Sequence, residues 1–62
     1  MIWYIIDNNN NAITSSPYQS EKAAKRMATM SGYNTIGVGR SGWLECFITH
    51  KKTSNKWQKV TN

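Results

Sequence analysis

The sequence predicts one small α+β domain, a β-hairpin, a helix and a second β-hairpin (ββαββ), with the helix packed on one face of an antiparallel sheet. Three observations predict it. Runs of β-branched and aromatic residues flank a central segment of helical periodicity. The 62 residues hold one domain, residues 1–62, and a thin core. Cys46 is the only cysteine, which excludes an intramolecular disulfide. Three Trp, three Tyr and one Phe must then supply the buried area that holds so short a chain together.

Residues 2–6, Ile-Trp-Tyr-Ile-Ile, read as a strand. Asp7 and the run Asn8-Asn9-Asn10-Asn11 read as a turn, because Asn tolerates left-handed backbone angles and bonds its own main chain. Ala12-Ile13-Thr14 then returns as a short second strand. A two-residue loop at Asn9-Asn10 sets Ile6 opposite Ile13. After the connection 15–19, Ser20 is the expected helix N-cap, with Glu21 in the first turn. The competing start is Ser16, with Pro17 at the first helical position and Gln19 closing a capping box. The helix is expected to run to about Ser31 and stop at Gly32. At about 100° per residue, Ala23, Ala24, Met27, Ala28 and Met30 occupy one side, and Lys22, Lys25, Arg26 and Thr29 the other.

The second hairpin reads as strands 33–39 and 43–50. A two-residue turn at Ser41-Gly42 would place Val38 opposite Glu45. A three-residue turn, Arg40-Ser41-Gly42, instead places Val38 beside Leu44 and Ile36 beside Cys46. The second register is adopted because it makes one apolar face of Ile36, Val38, Leu44, Cys46 and Ile48. Tyr33, Thr35, Trp43, Glu45 and Phe47 then share the outer face. The tail, 51–62, is rich in Lys; Trp57 and Val60 pair there as a short fifth strand or dock on the domain, or else the tail frays.

No constellation in the chain assembles an active site, so no enzyme, cofactor or metal is expected. Gly37-Val38-Gly39-Arg40-Ser41-Gly42 matches G-x-G-x-x-G, but a β-rich segment follows where a dinucleotide site needs a helix. Cys46 and His50 lie four positions apart on one strand, roughly 13 Å and beyond hydrogen-bond reach. One Cys and one His cannot complete a zinc site, and Asp7, Glu21 and Glu45 sit on three different elements. The start, Met1-Ile2-Trp3, has no basic n-region, and no long apolar stretch follows. The expectation is a cytoplasmic protein with no membrane association, in its own cell or in the cytoplasm of an infected host.

Eight Lys and Arg against three Asp and Glu give a formal charge of +5, which favours a polyanionic partner. Lys22, Lys25 and Arg26 mark the outer helix face. Lys51, Lys52, Lys56 and Lys59, with Trp57 among them, mark the tail, and Arg40 adds a cation at the hairpin turn. Lys-dominated groups suit phosphate contact better than base reading. Trp43 and Phe47 on an open sheet face are either a stacking platform for bases or covers for Gly37 and Gly39. Glu45 between them opposes phosphate.

These residues lead to a sequence-tolerant, non-enzymatic nucleic-acid-binding module. The alternative is an inhibitor or regulator of a larger enzyme, such as a host nucleic-acid-processing enzyme. It would dock Trp43, Phe47 and Trp57, ringed by Lys, on an acidic protein surface. In size, Asn-rich turn, aromatic content and charge the chain resembles the small accessory proteins that bacteriophages make during host takeover. No motif carries that resemblance.

Overall fold

A computed structural model of the chain describes residues 2–39 and 46–60. Strand β1 (Ile2–Ile6) leads to helix α1 (Glu21–Ser31), followed by β2 (Thr35–Gly39), β3 (Cys46–Thr53) and β4 (Lys56–Lys59). The strands form one antiparallel sheet in the order β1-β2-β3-β4. The expected α+β architecture holds, with one helix on one face of the sheet. No helix of the described residues is long and apolar enough to cross a membrane.

The core follows from strand alternation and from two small residues. Ile5 lies opposite Ile36 across the β1–β2 pair, and both side chains are buried with Ala24 and Ala28 of α1. Alanine at both helix positions lets the helix approach the sheet closely, which favours a dry contact between large strand residues and a small-residue helix face. Trp3, Ile13, Tyr18, Met27, Tyr33 and Trp57 pack around this cluster. Tyr4 and Ile6 alternate with Ile5 and are buried as well.

Both helix ends are where the sequence puts them. Ser20 is the N-cap, in extended backbone, and its Oγ accepts from the Ala23 amide at 3.1 Å. Gly32 ends the helix at φ 80°, and Tyr33 N donates to Ala28 O at 2.8 Å. The expected inner face needs one correction, because Met30 is 69% exposed. The buried line is Ala24–Ala28, and Met30 sits about 120–160° around the helix from it.

The first turn is longer than the two-residue loop expected. Ile6 bridges to Ala12 and Asp7 N donates to Asn11 O at 2.8 Å, so three residues, Asn8, Asn9 and Asn10, close the turn and Asn10 takes the left-handed position at φ 63°. The Asp7 carboxylate accepts from the amides of Asn9 and Asn11, which nucleates the turn. The return is carried by two isolated bridges, Ile6 to Ala12 and Trp3 to Tyr18, rather than by a continuous ladder. Residues 11–18 thereby take up amides and carbonyls on the β1 edge that faces away from β2.

The second hairpin departs most from expectation. Gly39 pairs with Cys46, so residues 40–45, which lie outside the described residues, connect β2 to β3. The register set by the expected three-residue turn is therefore overturned, since Val38 lies opposite Phe47 instead of Leu44 and Ile36 opposite His50 instead of Cys46, while the turn itself, Arg40-Ser41-Gly42, lies outside the described residues. The register shifts between Ile36 and Gly37. At that irregularity β3 comes so close to β2 that a Cβ on Gly37 would collide with the Phe47 carbonyl oxygen. Glycine is needed there for space. The Lys-rich tail does not fray through residue 59: it forms β4, joined to β3 by a tight turn at Ser54 and Asn55, with φ 52° and 65°.

Candidate nucleic-acid interface

Helical spacing divides α1 into strips. Glu21, Lys25 and Thr29 flank the buried Ala24–Ala28 line on one side, Ala23, Met27 and Met30 on the other, and Lys22 and Arg26 ride on top. The first flank faces the β3–β4 hairpin. Lys52 Nζ donates to Thr29 Oγ1 at 3.4 Å, and His50 Nε2 lies 3.5 Å from Glu21 Oε1. His50 is on the helix side because the shifted register sets it opposite Ile36. Its ring lies 6.0 Å from that of Trp3, tilted by 47°, and its Nδ1 is 2.9 Å from Thr49 Oγ1.

Glu21 is the acid at the centre of this corner. Lys25 Nζ donates to Glu21 Oε2 at 2.8 Å, an i to i+4 pair in the favourable orientation. That hydrogen bond holds the Glu21 carboxyl below its ordinary value, with further help from the charges of His50 and Lys59 and some opposition from desolvation. Lys59 pairs across from His50, and Lys52 pairs across from Trp57, so both lysines share the helix side of the sheet. Trp57 is half-buried against the core.

The structure thus gathers Arg26, Lys22, Lys25, Lys59 and Lys52 into a band that runs over the helix and down onto β3–β4. Glu21 is the one acid among the described residues of this band. Strand alternation sends the other two tail lysines elsewhere. Lys51 lies opposite Thr35 and Gln58, and Lys56 opposite Thr53, on the face away from the helix. The tail lysines therefore do not act as one group.

The aromatic platform is also redistributed. Phe47 is 75% exposed, but it pairs with Val38 and so stands on the helix side of the sheet, away from the outer face expected for it. The register shift is the cause. Tyr33, expected on the same outer face, packs against the core cluster at the end of α1. Arg40 and Trp43 lie outside the described residues, as do Leu44 and Glu45 and the side chain of Cys46. Strand β3, rather than a helix, follows the glycine-rich segment. No group of three or more His, Cys, Asp or Glu among the described residues is placed to hold a metal ion.

Two features lie beyond what the sequence alone reveals. The Glu21–Lys25 spacing is visible in it, but the contact with His50 depends on the register shift. The other is a groove on the opposite helix flank, lined by Tyr18, Ala23, Met27 and Met30 with Lys22 and Arg26. Its signal is the Met27–Met30 spacing, which is indistinguishable from a core stripe. Comparison with protein-family models, with curated proteins and with solved structures gives no match, so the surfaces are read from their own geometry.

Proposed function

We propose that the protein is a non-enzymatic nucleic-acid-binding module that holds the phosphate backbone through Lys22, Lys25, Arg26, Lys52 and Lys59. The observation that carries the reading is the convergence of these five cations, from a helix and from a hairpin distant in sequence, on one side of the sheet. Phosphates spaced along a strand suit such a band, since each cation contributes by displacing a condensed counterion and none has to find a particular base. Lysine dominates the band, which favours sequence tolerance. Glu21 lowers the local potential, but its charge is already shared with Lys25.

The test is the salt dependence of binding to a labelled oligonucleotide, followed by fluorescence anisotropy. Three to five phosphate contacts give a slope of log affinity on log salt of roughly −3 to −4 on duplex DNA, and somewhat shallower on single strands. Replacing Lys22 and Arg26 together by Ala should weaken binding to all sequences alike and flatten the slope by about one to two units. Replacing Lys51 and Lys56 together, on the other face, should leave the slope nearly unchanged. Equal effects from the two pairs would refute the band, and no detectable binding at low salt would refute the function.

A further inference from the structure

The second flank of α1 is apolar where an outer helix face is ordinarily polar. Ala23 and Met27 are half-buried and Met30 is 69% exposed, and the isolated bridge from Trp3 holds Tyr18 alongside them. Together with Ser20 they line a groove of about 460 Å³, open to solvent, with Lys22 and Arg26 along its upper rim. Neither rim cation forms an ion pair with a described residue. Met30 stands in water beside the half-buried Met27, and the unbranched, polarisable side chains of both adapt to an incoming apolar group. The rim supplies charge of one sign only.

We propose that this groove docks an acidic segment of a protein partner, which inserts an aliphatic side chain between Tyr18, Met27 and Met30 while its carboxylates meet Lys22 and Arg26. Charge complementarity selects the occupant: an apolar floor under two cations with no ion-pair partner among the described residues suits an acidic chain with a hydrophobic anchor. A nucleic acid offers the negative charge but no aliphatic side chain to fill the floor. The groove is separate from the corner formed by Lys25, His50, Lys52 and Lys59, on the other side of the buried Ala24–Ala28 line. Only Lys22 and Arg26 border both surfaces, so an acidic segment in the groove takes two cations from the phosphate-binding band and competes with nucleic acid for them.

The probe is a short synthetic peptide rich in Asp and Glu with Leu at positions i and i+4, compared with the same peptide carrying Ser for both Leu. Binding is read by anisotropy and by the methyl resonances of Met27 and Met30. The Leu peptide is expected to move both methyls and to bind about fivefold or more tightly than the Ser peptide. Met30→Ser, at an exposed position where folding is not at stake, should remove about fivefold of the Leu peptide's affinity and leave oligonucleotide affinity unchanged. Equal binding of the two peptides, or indifference to Met30→Ser, would overturn the proposal by reducing the contact to charge alone. Unchanged peptide affinity on replacing Lys22 and Arg26 by Ala would overturn it from the other side. An oligonucleotide that moves the Met30 methyl and is weakened by Met30→Ser would assign the groove to nucleic acid and overturn it too. Loss of oligonucleotide binding with the peptide response intact would refute the phosphate-binding function and leave the groove standing.

Discussion

Gly37→Ala is the sharpest probe of the way β2 and β3 meet. A Cβ built on Gly37 lies 3.0 Å from the Phe47 carbonyl carbon and 3.3 Å from Ile48 Cα, and collides outright with the Phe47 carbonyl oxygen. All three atoms belong to backbone, which the sheet ladder holds in place, so no side chain can swing aside to make room. Relief requires the two strands to separate at the register shift, and inserting one methyl into so tight a site costs roughly 1–3 kcal/mol. A domain of this length has about 3–9 kcal/mol in all. Each kcal/mol lowers Tm by about 4–8 °C at this size, so a mid-range cost near 2 kcal/mol predicts a drop of about 8–16 °C. Thermal unfolding followed by circular dichroism measures it. Gly32→Asn is the informative control: Gly32 has φ 80° and no neighbour within 4 Å of a built Cβ, and Asn tolerates that backbone region, so the loss there should be small. A Gly37→Ala protein that melts with the wild type would refute the close approach and the register built on it.

Three further outcomes follow from the packing and the charges. Ile36 is fully buried, so Ile36→Ala should cost about 2–5 kcal/mol and Ile36→Val only about 0.5–1.5, with urea midpoints in that order; equal midpoints would deny it the central place in the core. Ser20→Ala should cost about 1 kcal/mol by freeing the Ala23 amide, and Ser20→Asp should keep most of that stability. Glu21 has a folded pKa below its ordinary value of 4.5, so the stability it contributes is present above that value and is lost as pH falls through the lowered one. The pair with Lys25 is largely solvated, so Glu21→Gln should cost only about 0.3–0.5 kcal/mol near neutral pH and nothing in acid; a difference that persists in acid would contradict the assignment.

Those elements whose determinants are local are legible in the sequence. Ser20 and Gly32 bound the helix because a side-chain acceptor and a left-handed residue are needed at those two points and nowhere between. Ile2–Ile6 reads as a strand from its own residues, and the tail separates into a turn signal around Ser54-Asn55 and a pairing segment that holds Trp57. The second hairpin misleads because a register chosen to maximise an apolar face has no room for an irregularity, whereas the chain accepts one at Ile36–Gly37 that no apolar count reveals. That one shift moves Phe47 to the helix side and brings His50 next to Glu21. The cations are visible as residues, but grouping them by sequence proximity fails for Lys51 and Lys56, since neighbours along a strand point apart. Met30 reads as core because helical spacing fixes a side of the helix without saying how wide the buried strip is.

The segment 11–18 along β1 also sets a limit on self-association. With its hydrogen-bonding groups bridged at Ile6–Ala12 and Trp3–Tyr18, that border of the sheet is occupied, and among the described strands β4 is the border left for another strand. A sheet with a single accepting border can join a second copy across a two-fold axis, and the joined pair then has none left. Growth by edge pairing therefore terminates at two molecules, and Lys56 and Lys59 on β4 oppose even that step by setting like charges against each other. The asparagine-rich turn that folds this segment back is, in that sense, a stopper against fibre formation.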